Sequence, residues 1–89
     1  MINVFKMIPR LNVIYVSPIC GKERAIKDVC YDIVAQLSLT GNRVRQLVVY
    51  EKDNEYVIEV TCSRYAFYTF LNQFKDKTSK LIWRVNRVV

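Results

Sequence analysis

Between Leu11 and Ser17 the chain alternates loosely and is rich in Val, Ile and Tyr, a strand pattern that Pro18 ends. The period then changes. Ile26, Val29, Cys30, Ile33 and Leu37 recur at three- and four-residue spacing, which predicts a helix with one apolar face. Thr40-Gly41-Asn42 follows the last periodic residue, and Gly41 is placed to take the left-handed conformation that closes a helix. Apolar residues return from Arg43 to Tyr50, the polar run Glu51-Lys52-Asp53-Asn54-Glu55 interrupts, and Tyr56 to Cys62 alternates again, the pattern of a hairpin. Ser63 is placed to cap a second helix whose buried stripe is Phe67, Phe70, Leu71 and Phe74. Lys75 to Lys80 turns the chain polar, and Leu81 to Val85 reads as a last strand.

The predicted order is βαββαβ. In a chain of 89 residues, which builds one thin core, this order is best satisfied by an α+β, ferredoxin-like arrangement. A four-stranded antiparallel sheet then carries both helices on one face, with the second and fourth strands outermost. The topology resembles that of RNA-recognition domains, small-molecule-sensing regulatory domains, a small ribosomal subunit protein and acylphosphatases, so fold alone does not choose a function. Residues 11–89 are read as the domain. Residues 1–10, with Ile2, Val4, Phe5, Met7 and Ile8, are read as an N-terminal segment supplying an extra strand or a lid.

Strand alternation sends Ile14 and Val16 towards the helices and Tyr15 to the open face. The hexapeptide Ile14-Tyr15-Val16-Ser17-Pro18-Ile19 resembles the first short motif of RNA-recognition domains, and the resemblance implies that Tyr15 stacks on a base. That family carries a second motif on the third strand, basic and glycine-rich at its start, with two aromatics on the same face. Here the strand reads Asn54-Glu55-Tyr56-Val57-Ile58-Glu59-Val60. Tyr56, Ile58 and Val60 are expected to turn inward, leaving Val57, Glu59 and Thr61 outside, and the Glu59 carboxylate repels phosphates. The open face then comprises Val13, Tyr15, Val57, Ile82, Arg84, Asn86 and Val88, plus either Val48 and Tyr50 or Leu47 and Val49, because both faces of the second strand are apolar. A face this apolar marks a contact surface. Val13, Tyr15, Val57, Ile82 and Arg84 are the expected protein interface, unless the N-terminal segment covers them.

Fourteen Lys and Arg against eight Asp and Glu give +6, a field that attracts polyanions. Arg43 and Arg45 at the start of the second strand, with Arg84 and Arg87 on the last, form the alternative nucleic-acid surface, flanking the sheet on opposite edges. The chain has no histidine, which excludes Ser-His, Cys-His and His-metal constellations, and its glycines, Gly21 and Gly41, build no nucleotide loop. Cys20, Cys30 and Cys62 lack paired spacing and read as reduced thiols, the last two buried, so neither a metal nor a cofactor is expected. Cys20, Lys22 and Arg24 lie between the first strand and the first helix, near the helix N-terminus, a candidate anion site. Acylphosphatases use this loop, but their glycine-spaced loop ending in arginine is not reproduced, and no enzyme is expected. No stretch approaches the roughly 18 apolar residues of a membrane span, and the N-terminus lacks a signal-peptide centre. The resulting expectation is a cytoplasmic, non-enzymatic binding module or regulator that works through its sheet face. Its partner is another protein or a second copy, and a phage or viral factor acting on a host machine fits such a chain; a basic nucleic-acid-binding domain is the alternative.

Overall fold

The computed structural model describes residues 8–18, 24–78 and 83–89. Its elements run β1 (Arg10–Pro18), α1 (Arg24–Leu39), β2 (Val44–Lys52), β3 (Glu55–Cys62), α2 (Arg64–Thr78) and β4 (Trp83–Val88). The strands form one antiparallel sheet in the order β2-β3-β1-β4, so β2 and β4 are the outer strands, as expected. Of the N-terminal segment 1–10 read as a lid or extra strand, residues 1–7 lie outside the described residues, and Arg10 is the first residue of β1.

Both helices contribute to one core. Ile26, Cys30, Ile33 and Leu37 of α1 meet Phe67, Phe70, Leu71 and Phe74 of α2 over the inward residues Ile14, Val16, Ile58, Val60 and Cys62. The phenylalanines at 67, 70 and 74 are fully buried, each supplying about 1.5–3 kcal/mol of transfer free energy. Val29, placed on the buried stripe by its spacing, is only half-buried at the margin of this cluster. The helices are also tied at their surface by the Lys77–Asp32 ion pair.

The helix ends and the turn obey local chemistry. At the end of α1 the Asn42 N–H donates to Leu37 O at 3.0 Å and the Gly41 N–H to Ser38 O at 3.3 Å, with Gly41 at φ +85°. This double closure satisfies carbonyls that the helix leaves unpaired, and it needs a left-handed residue at Gly41. Ser63 caps α2 by accepting from the Ala66 N–H on its Oγ at 3.2 Å. The hairpin between β2 and β3 turns on Asp53 and Asn54, with φ of 52° and 63°, the two positive values of a type I′ turn.

Among the described residues two buried side chains are polar, Asn12 and Thr78, and Thr78 Oγ1 donates to Phe74 O within its own helix. Asn12, on the inward side of β1, is fully buried; its Nδ2 donates to Arg10 O at 3.1 Å and to Val60 O and Cys62 O at 3.3 Å. Its Oδ1 accepts from Arg64 Nη1 at 2.9 Å, which locks the start of α2 to β1. Alternation alone puts position 12 inward; the amide is needed there because a buried polar group must be fully partnered.

Candidate functional site

The open face of the sheet is organised as rows across the strands. The register opposes Tyr50 to Val57, Val57 to Tyr15 and Tyr15 to Arg87, so one row crosses all four strands. Val57 has a tyrosine on either side and is only 1% exposed, although it points away from the helices. Tyr15 is half-buried and Tyr50 is 37% exposed, and Tyr50 Oη donates to Glu59 Oε1 at 2.9 Å. That hydrogen bond, followed by desolvation and the Glu59 charge, raises the Tyr50 phenol above its ordinary value. The neighbouring row runs Val48, Glu59, Val13, and Val13 exchanges backbone hydrogen bonds with Val89 at 2.9 and 2.7 Å.

The register also decides strand 2: Leu47 and Val49 face the core, while Val48 and Tyr50 face outward. On β4, strict alternation fails. Tyr15 pairs with Arg87 but Val16 with Val85, so Asn86 is an extra residue, a β-bulge. The bulge corrects the expectation for the open face: Arg87, not Val88, follows Asn86 onto it. Val88 pairs with the inward Ile14.

Arg87 then lies across the face. Its guanidinium carbon stands 3.7 Å from the centre of the Tyr15 ring, a cation–π contact. Its Nη2 stands 3.4 Å from Glu55 Oε1, reaching over β1 to β3. Asn86 Nδ2 donates to Glu55 Oε2 at 2.9 Å and to Ser17 Oγ at 2.7 Å, so Glu55 gathers two residues of β4. The ring surface that base stacking requires is therefore already used by a side chain of the same molecule.

Of the expected interface residues, Val13, Tyr15, Val57 and Arg84 share this face, Arg84 through its pairing with Ser17; Ile82 lies outside the described residues. Arg43 and Arg45 sit at the β2 edge and Arg84 and Arg87 at the β4 edge, so these four do not converge. A different basic group does. Arg10 and Val44 both oppose Cys62, Arg45 is the extra residue of a second bulge beside Val44, and Arg64 follows Cys62 by two residues. Thus Arg10, Arg43, Arg45 and Arg64 collect at one end of the sheet, while Glu51, Asp53 and Glu55 occupy the hairpin end. A shallow depression of about 450 Å³ at the basic end is lined by Ser38, Gly41, Asn42, Arg43, Val44 and Arg45. Sequence spacing could not gather these arginines, because only strand pairing sets residues 10 and 44 on either side of Cys62.

Arg24 opens α1, while Cys20 and Lys22 lie outside the described residues. Cys30 and Cys62 are buried free thiols; burial pushes Cys30 up to about 12 and Cys62 up to about 11, the opposite of an activated nucleophile. Among the described residues no cluster of three or more His, Cys, Asp or Glu is placed to hold a metal, and no helix is long and apolar enough to cross a membrane. No protein-family model matches this chain, and no curated protein matches it by sequence.

Proposed function

We propose that the chain is a ferredoxin-like, non-enzymatic binding module that recognises a protein partner, or a second copy of itself, through the open face of its sheet. The observation that carries this reading is the row Tyr50, Val57, Tyr15, Arg87. Tyrosine and arginine are the side chains that supply binding hot spots, because each offers large area and a polar tip at modest entropic cost. Here they surround an aliphatic centre and are held in place by Glu55 and Glu59. Pre-positioned side chains lower the ordering cost of association. The carboxylates on this face and the arginine on Tyr15 disfavour nucleic acid at the same surface.

The test is Tyr15→Glu on the full chain. It places a charge in the middle of the row and is expected to abolish association through the face, read by sedimentation and by capture of an independently identified partner. Retained association, with the fold verified by circular dichroism, would overturn the reading.

The convergence of Arg10, Arg43, Arg45 and Arg64 favours a second reading, electrostatic binding of nucleic acid at that end of the sheet. Such binding is expected to be sequence-indifferent and to weaken steeply with salt through counterion release. Fluorescence anisotropy of single-stranded RNA at two salt concentrations tests it. Arg43→Ala with Arg45→Ala should weaken binding, and Tyr15→Ala should leave it unchanged.

A further inference from the structure

The two edges of the sheet are unequal. β4 is six residues long, carries Arg84 and Arg87, and is interrupted by the bulge at Asn86, devices that discourage edge pairing. β2 is nine residues long, has no proline, and presents the uncharged run Gln46-Leu47-Val48-Val49-Tyr50. Its one irregularity lies at its very start, between Val44 and Gln46, so the rest pairs regularly with β3. No described strand pairs with its outer side. Leu47, Val48 and Val49 are only half-buried there.

The strand is also complementary to itself. Antiparallel pairing about a twofold axis through Val48 opposes Leu47 to Val49, Gln46 to Tyr50 and Arg45 to Glu51 of a second copy. The faces agree: Leu47 and Val49 both belong to the core side, and Gln46 and Tyr50 both lie on the open side. Glu51 lies on the helix side through its pairing with Tyr56, and Arg45, the extra residue of the β2 bulge, opposes it across the twofold axis. Moving the centre to Val49 sets Leu47 against Glu51, and moving it to Leu47 sets Arg45 against Val49.

We infer that β2 is a homodimerisation edge, with two copies joined strand to strand about Val48 into a continuous eight-stranded sheet. Main-chain hydrogen bonds supply the attachment, and the Arg45–Glu51 pairs select register and direction. The twofold makes every contact occur twice. This proposal goes beyond the reading of the open face and does not depend on it. The edge pairing sets the open faces of the two copies side by side, making a platform twice as wide.

Sedimentation equilibrium of the full chain is expected to give twice its 10.5 kDa. Arg45→Glu alone and Glu51→Arg alone each create two repulsive pairs and should weaken the dimer by roughly tenfold, while the double reversal R45E/E51R restores affinity to within about twofold. Val48→Lys opposes two ammonium groups on the axis and should give a monomer. Because positions 45 and 51 are exposed, the charge reversals leave the monomer fold intact, which circular dichroism verifies. A monomer at all concentrations, or a dimer indifferent to the single reversals, would overturn the proposal. A dimer lost on Tyr15→Glu but indifferent to the β2 reversals would assign self-association to the open face and sink the edge. A dimer that follows the β2 reversals and survives Tyr15→Glu supports the edge, whatever the face binds.

Discussion

The guanidinium of Arg87 lies 3.7 Å from the ring centre of Tyr15, at paired positions of β4 and β1. The contact is at the surface, so its worth is about 0.5–1 kcal/mol. A double-mutant cycle with Tyr15→Leu and Arg87→Ala, followed by urea unfolding, should return a coupling of that size. A cycle closing at zero would mean that the pair is only a crossing of side chains.

Asn12 is expected to be the least replaceable polar residue of the inner face. It answers three carbonyls with its amide and one guanidinium with its oxygen. Asn12→Ala should cost about 1–3 kcal/mol in urea unfolding, because the Arg64 end of α2 loses its acceptor. Arg64→Ala should cost a similar amount, since it leaves the buried Asn12 Oδ1 without its guanidinium donor.

Backbone conformation sets a third expectation. Gly41 stands at φ +85° with open space where a Cβ would sit, so Gly41→Ala meets no clash and its cost is the left-handed backbone alone, about 1–2 kcal/mol. At the hairpin, Asn54 at φ 63° should accept glycine freely, whereas Asn54→Val should cost more than Gly41→Ala, because a β-branched side chain is the least compatible with the left-handed region. Thermal melts of the three variants check the ranking.

The buried thiols make stability fall in alkali. Both titrate higher in the folded chain, about 12 for Cys30 and about 11 for Cys62 against an ordinary 9.0. Their contribution is fully present below pH 9, declines as the unfolded thiols ionise, and is gone once pH passes the folded values. Tyr50, also raised, acts in the same direction from its own ordinary value of 10.0 upward. Urea midpoints from pH 8 to 11 should fall, and Cys30→Ala should flatten the slope. At pH 8, alkylation of Cys30 and Cys62 should proceed only as fast as the chain unfolds.

Much of the fold was legible because it rests on local signals. The helix stripe from Ile26 to Leu37, the Gly41 closure, the Ser63 cap and the outward turn of Tyr15 all follow from spacing and residue type. The candidate site was less legible, for a single physical reason: its parts meet through strand pairing. Val57 looked like an exposed aliphatic until the register set Tyr15 and Tyr50 beside it. Arg87 looked like an edge cation, because an alternating pattern cannot reveal an inserted residue. The second strand, apolar on both sides, withheld its own phase until Leu47 and Val49 were seen in the core.

The bulge at Asn86 makes the length of β4 a message in itself. Asn86 is the inserted position itself, so its removal would straighten the ladder and leave Arg87 opposite Tyr15 and Val88 opposite Ile14, losing only the amide's bonds to Glu55 and Ser17. Removing Val85 instead would bring Asn86 opposite the inward Val16 and turn its amide towards the core. Deletion of Asn86 should therefore be far milder than deletion of Val85, and a deletion scan along β4 would locate the inserted position by the one loss the ladder tolerates.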